Sequence, residues 1–197
     1  ATPSGQVMCW GERDDYSSGT GDRYESYTLT YAANIDDAID VAVGYHSSCA
    51  LRSTGRVECW GLVLGQVVAD SQNKVQYPSP VIGIDLVTSV DAGYLTTCAL
   101  RTDATVWCWG RNAAGYDQTS ISGIHQVPAI GPTVAMAIER FNSCFLLATG
   151  QVSCWGSWLD QIHPDGRSQP VPIPGMQHAV AITAGKSHFC AILTDGT

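Results

Sequence analysis

Apolar and polar positions along this chain alternate in short runs, and no stretch carries a long helical period. In the segment from Cys49 to Cys59, Leu51 and Val57 alternate with Arg52 and Glu58, the period of two that sends one face of a strand inward and the other outward. Between them Ser53-Thr54-Gly55 makes a three-residue turn with Gly where φ > 0 is required. The prediction is a β-hairpin over 44–61. GYLTTCALRTDATVWCWG over 93–110 and ERFNSCFLLATGQVSCWG over 139–156 repeat the design. A fourth copy is divided between the ends of the chain. Residues 185–197 hold its first half, and Gly5-Gln6-Val7-Met8-Cys9-Trp10-Gly11 holds its second.

The repeats are evenly spaced. Trp10, Trp60, Trp109 and Trp155 follow one another at 50, 49 and 46 residues, the range of propellers and other arrays. A looser block containing proline precedes the later hairpins, as in Ser79-Pro80-Val81-Ile82-Gly83 and Val171-Pro172-Ile173-Pro174-Gly175, while residues 31–40 take that place in the first repeat without proline. Proline belongs on edge strands and turns, so the block reads as an outer strand or a crossing. Each unit then has room for four short strands, one propeller blade. The expected fold is all-β: a four-bladed β-propeller forming one domain over 1–197, its ring closed by the N- and C-terminal strands sharing a blade.

The eight cysteines fit this scheme. No Cys-x-x-Cys occurs, which removes the usual zinc frameworks. In each hairpin the two cysteines are equidistant from the turn and so face each other. The pairs predicted are Cys49–Cys59, Cys98–Cys108 and Cys144–Cys154. Ring closure adds Cys9–Cys190. Such a framework belongs to an oxidising compartment, and the opening Ala1-Thr2-Pro3-Ser4 reads as a mature end after signal removal.

The pattern G-x-x-x-x-C-A-L-x-x-x-G-x-V-x-C-W-G, spread over all four units, resembles the repeats of the regulator of chromosome condensation family, especially the cysteine-bearing versions of secreted bacterial proteins. The resemblance implies propeller blades, usually more than four. The chain departs from the family in unit number, in a degraded tail after Trp-Gly (Arg111-Asn112-Ala113-Ala114-Gly115), and in Glu139, which replaces a repeat glycine. The family's nucleotide exchange beside chromatin does not carry over to an acidic, cystine-bearing chain. A secreted propeller that plugs β-lactamase active sites with its loops is the nearer analogue.

Charge narrows the partners. Ten Lys+Arg stand against eighteen Asp+Glu, a net charge of -8, the opposite of what phosphate neutralisation requires. Nucleic acid and anionic membrane surfaces are excluded, and no apolar run is long enough for a spanning helix. No cofactor motif is present: there is no P-loop, no Gly-x-Ser-x-Gly and no His-Glu-x-x-His.

The candidate chemistry is that of binding. After the repeat glycine come Tyr45 and Tyr94, then Arg140 and Lys186 in the later copies. A ring sets these four around one face, where aromatic and cationic groups stack on and hydrogen-bond a ligand. Trp158 lies outside the repeat signature and reads equally as a candidate contact at the binding surface or as a packed loop anchor. Acids in the 12–22 loop suggest Ca²⁺ ligands, though the spacing is not that of an EF-hand and a solvated loop is the plainer reading. His46 and His188 read as structural, and His163-Pro164-Asp165 as a weak ligand contact in a loop. The first functional reading is a secreted, non-enzymatic lectin for glycans. The second is a protein-binding inhibitor or interaction propeller acting on a secreted protein. The third, an enzyme using acids of the 12–22 loop with Asp160 and Asp165, lacks any defined carboxylate separation.

Overall fold

Short strands with a period of two, joined by tight turns, build the whole of this computed structural model, which describes residues 4–11, 14–22, 26–69, 73–111, 113, 120–128, 130–166 and 168–194. β1 (Met8–Gly11) and β2 (Ser26–Tyr31) form a two-stranded antiparallel sheet. β3 (Ala38–Val43), β4 (Ser47–Arg52), β5 (Val57–Leu62) and β6 (Lys74–Pro80) make the first four-stranded blade. β7 (Val87–Ala92), β8 (Thr96–Arg101), β9 (Val106–Arg111) and β10 (Ser120–Gln126) make the second. The third consists of β11 (Thr133–Ile138), β12 (Asn142–Leu147), β13 (Val152–Gly156) and β14 (Val171–Pro172). β15 (Ala179–Ala184) and β16 (Phe189–Leu193) form a second two-stranded sheet. Among the described residues helix is confined to two single turns, Asp14–Tyr16 and Leu159–Gln161.

The central hairpin of each blade has the register its sequence suggests. Cys49 lies opposite Cys59, Cys98 opposite Cys108 and Cys144 opposite Cys154. Each pair is a disulfide with its Cα atoms 4.1 Å apart. Ser53-Thr54-Gly55 joins Arg52 to Arg56, whose N–H and carbonyl hydrogen-bond at 2.8 Å, and Gly55 takes φ +78°. The proline blocks end or follow the outer strands, Pro80 in β6 and Pro172 in β14, where a missing N–H costs nothing.

Blades stack through their inner strands, β7 on β3 and β4, β11 on β7 and β8, β15 on β11 and β12. Three of the four CWG tryptophans complete the core against the sheet before them. Trp60 packs with Val7, Ala32 and Ile35, Trp109 with Leu51 and Val57, and Trp155 with Leu100 and Val106. All three are at most 2% exposed.

The ends do not share a blade. β1 pairs with β2, Cys9 facing Thr30, and β16 pairs with β15, Cys190 facing Thr183. The expected Cys9–Cys190 disulfide is therefore not formed. Trp10, with no blade before it to pack against, is 70% exposed. Stacking of inner strands sets the turn from sheet to sheet, and this turn leaves an arc of three complete blades between two half-blades.

Candidate functional site

The inner strands converge at a hub, and a glycine ends each of the first two. A Cβ on Gly44 would stand 2.3 Å from the Gly93 carbonyl oxygen, and one on Gly93 would stand 2.1 Å from that of Glu139. Only a residue without a side chain lets neighbouring blades approach this closely. The Tyr45 N–H then donates to the Gly93 carbonyl across the blade junction, at 3.3 Å.

The residue after each glycine position faces one open depression of about 620 Å³. Tyr45, Tyr94, Arg140 and Lys186 all line it, over a floor that includes Val43, Ala92 and Ile138. The Tyr45 and Tyr94 ring centroids are 4.7 Å apart at a tilt of 34°. The Arg140 guanidinium lies 4.7 Å from the Tyr94 centroid and 4.6 Å from that of Phe141, within cation–π range of both. Tyr45 also meets His46 edge-on at 4.3 Å.

Glu139 occupies the third glycine position without crowding the hub, because its side chain folds back. The carboxylate accepts the Arg140 N–H at 2.5 Å and the Asn142 side-chain amide, and it is buried. Glu139 lines the same depression beside the cationic Arg140 and Lys186.

Two carboxylates that sequence reasoning passed over clamp the inner strands. Asp40 accepts the Val90 N–H and the Ser89 hydroxyl, each at 3.2 Å. Asp91 accepts the Ala92 and Ile138 N–H groups, each at 2.8 Å. Burial raises the Asp91 carboxyl above its ordinary value; the two N–H donors oppose that rise and the charge of Asp40 adds to it. Both look like ordinary polar strand positions in sequence, since their acceptors' partners sit a whole repeat away.

The remaining candidates lie elsewhere. Trp158 is not at the hub: it is half-buried beside Leu159 and Ile173 in the third blade's outer layer, and its main-chain N–H donates to Asn142 Oδ1 at 3.4 Å. His163 accepts the Asp165 N–H at 3.2 Å within its own turn. Glu12 and Arg13 of the acidic loop lie outside the described residues. Asp15 from that loop binds Lys74 at 2.6 Å and stands 3.5 Å from His46. Among the described residues no three His, Cys, Asp or Glu side chains gather as a metal site, and no helix is long and apolar enough to cross a membrane.

Comparison with known proteins places the repeat. A sequence model of the regulator of chromosome condensation (RCC1) repeat matches residues 38–62 and 87–115. Yeast RCC1 (Prp20), solved with Kap60 bound, is similar in structure with a TM-score of 0.80 and 20% identity, over 97% of this chain and 51% of that one. Prp20p of Saccharomyces cerevisiae, described with its binding to Gsp1p and histones, gives 0.82 and 21%, over 99% and 53%. Human WBSCR16 gives 0.77 and 19%, over 96% and 54%. The chain thus spans about half the length of these relatives. No curated protein matches it by sequence. At such identities the likeness is one of fold.

Proposed function

From a chain built of repeats of the regulator of chromosome condensation type, we propose a non-enzymatic interaction propeller that grips an acidic segment of a protein partner at its hub. The observation that carries this reading is the Tyr45–Tyr94–Arg140 stack beside Lys186 in one open depression. Aromatic and arginine side chains are the groups that anchor protein interfaces. Arg140 and Lys186 set two cations on this face of a chain of net charge -8, and the Glu139 carboxylate beside them is engaged by the Arg140 N–H and the Asn142 amide, a balance that favours an acidic segment here. The similar yeast propeller binds proteins, which supports a protein partner. Three buried disulfides support action in an oxidising compartment, outside the cell or in a secretory space.

Carbohydrate binding is the second reading. Tyr45 favours it, being 66% exposed and so open to a sugar ring. Against it, the Tyr94 ring already carries Arg140.

An array of acidic and neutral peptides, read beside a glycan array, separates the two. The protein reading expects retention of peptides rich in Asp and Glu, with affinity falling about tenfold or more in Arg140→Ala and at raised salt. Glycan binding lost in Tyr45→Ala, with no peptide retained, would replace it with the lectin reading.

A further inference from the structure

Three cations that hold the fold together are spent on acids. Arg52 binds Asp36, Asp37 and Glu58 through its three nitrogens, Arg101 binds Asp85 and Asp103 at 3.3 and 3.1 Å, and Lys74 binds Asp15. Arg140 is different. Its guanidinium lies over the rings of Tyr94 and Phe141, and among the described residues it forms no ion pair and donates no hydrogen bond. The acid next to it in sequence, Glu139, does not neutralise it, because that carboxylate accepts the main-chain N–H of Arg140 and the Asn142 amide instead.

The two rings hold the cation in place and leave its N–H groups without acceptors. A guanidinium is planar and weakly hydrated, and its donors match the two oxygens of one carboxylate. The rings are themselves fixed. Tyr94 follows Gly93, whose close approach to the Glu139 carbonyl sets the junction of the second and third blades, and it stacks with Tyr45 of the first. The Phe141 carbonyl accepts the Ser157 N–H at 3.2 Å, which ties its turn to the end of β13. Arg140, Tyr94 and Phe141 all belong to complete blades. The arginine thus carries a fixed, unspent fork in an open depression, where the equivalent positions of the first two blades carry Tyr45 and Tyr94.

We propose, on the reading of the hub as a site for an acidic protein segment, that Arg140 is its specificity-determining residue. The guanidinium grips the carboxylate of one Asp or Glu side chain of the partner through two parallel N–H···O bonds, with Tyr94 and Phe141 as positioning residues. A side chain is the source of the acid, not a chain end, because the depression is open and lets a segment lie across it beside the exposed Tyr45 ring. The partner then supplies what Arg52 and Arg101 already find within the chain. Lys186, a point charge on a flexible stem, adds attraction without reading the geometry of the acid.

Fluorescence anisotropy tests this with hexaglutamate labelled at its N-terminus and amidated at its C-terminus, and with hexaglutamine as the blank. The parent is expected to bind the first and not the second. Arg140→Lys keeps the charge and removes the planar fork at an exposed position, so it folds, as circular dichroism will show, and its affinity falls about tenfold or more. Phe141→Tyr keeps the ring and binds as the parent does, while Phe141→Ala binds more weakly. In the Phe141→Ala background Arg140→Lys costs less than in the parent, a coupling that a merely structural ring would not produce. Arg140→Lys binding as tightly as the parent overturns the fork and leaves the acidic-segment reading standing. Equal costs in the two backgrounds, or Phe141→Tyr as weak as Phe141→Ala, overturns the positioning role of the ring. Binding only when the C-terminus is left free overturns the side chain as the source of the acid. A parent that retains no acidic peptide, here or on the array, removes the acidic-segment reading and the fork together.

Discussion

Asp91 on β7 holds the main-chain N–H of Ile138 on β11 at 2.8 Å, so that one half-buried carboxylate ties the second blade to the third. The same group accepts the N–H of Ala92 beside it, and Asp40 does the equivalent work between the first blade and the second. The hub is thus clamped by carboxylate-to-amide bonds that leave the aromatic and cationic side chains free to face outward.

Burial raises the Asp91 carboxyl above its ordinary 3.8, which fixes the sign of its pH dependence. The folded state holds this proton more tightly than the unfolded chain. Its contribution to stability is fully present below the unfolded value and is lost as pH rises through the folded one. The melting temperature of Asp91→Asn relative to the parent should therefore climb as pH is raised from about 4 to 7. A constant difference across that range would show that Asp91 titrates as an ordinary carboxyl.

Gly93→Ala places a methyl group 2.1 Å from a main-chain oxygen that cannot swing away. Blades two and three must separate to admit it, at a cost of about 2–3 kcal/mol. Denaturant unfolding should show the loss, and amide exchange should localise the loosening to Tyr94 and Arg140 at the hub.

The turn of the second blade has the same shape as that of the first but carries Ala104, at φ +63°, where the first has Gly55. A left-handed alanine is strained by the clash of its Cβ with the following carbonyl. Ala104→Gly should raise stability by about 0.5–1 kcal/mol, read as a higher denaturant midpoint at unchanged slope. Gly55→Ala should lower it.

Each hairpin disulfide closes a short loop, and all six sulfur-bearing residues are buried. Replacing Cys98 and Cys108 together by Ala should cost about 2–3 kcal/mol. Because the sulfurs are out of solvent, dilute dithiothreitol should leave the folded protein oxidised and reduce it only as it unfolds, which thiol counting by mass spectrometry can follow.

The hairpins were legible in the sequence because their causes are local. A period of two, a turn glycine and two cysteines equidistant from it specify register within about fifteen residues, and the repeat of Trp-Gly copies that specification along the chain. Gathering of Tyr45, Tyr94, Arg140 and Lys186 was legible too, since equivalent positions in equivalent blades must come to one face. Trp158 was legible only as one of two alternatives, and the packed anchor is the one that the fold shows; its partners, Ile173 and the third blade's cystine, are residues that its own neighbourhood does not announce.

The amino-acid order by itself determined the strands, the three cystine pairs and the repeating blade, all set by contacts between residues close in sequence. The tertiary structure alone decided the angle from blade to blade, and with it the open arc and the exposure of Trp10. That angle comes from side chains meeting about fifty residues apart, where Gly93 must clear Glu139 and Asp91 must reach Ile138. A repeat unit counts blades, but only the packing between two of them says how many close a circle.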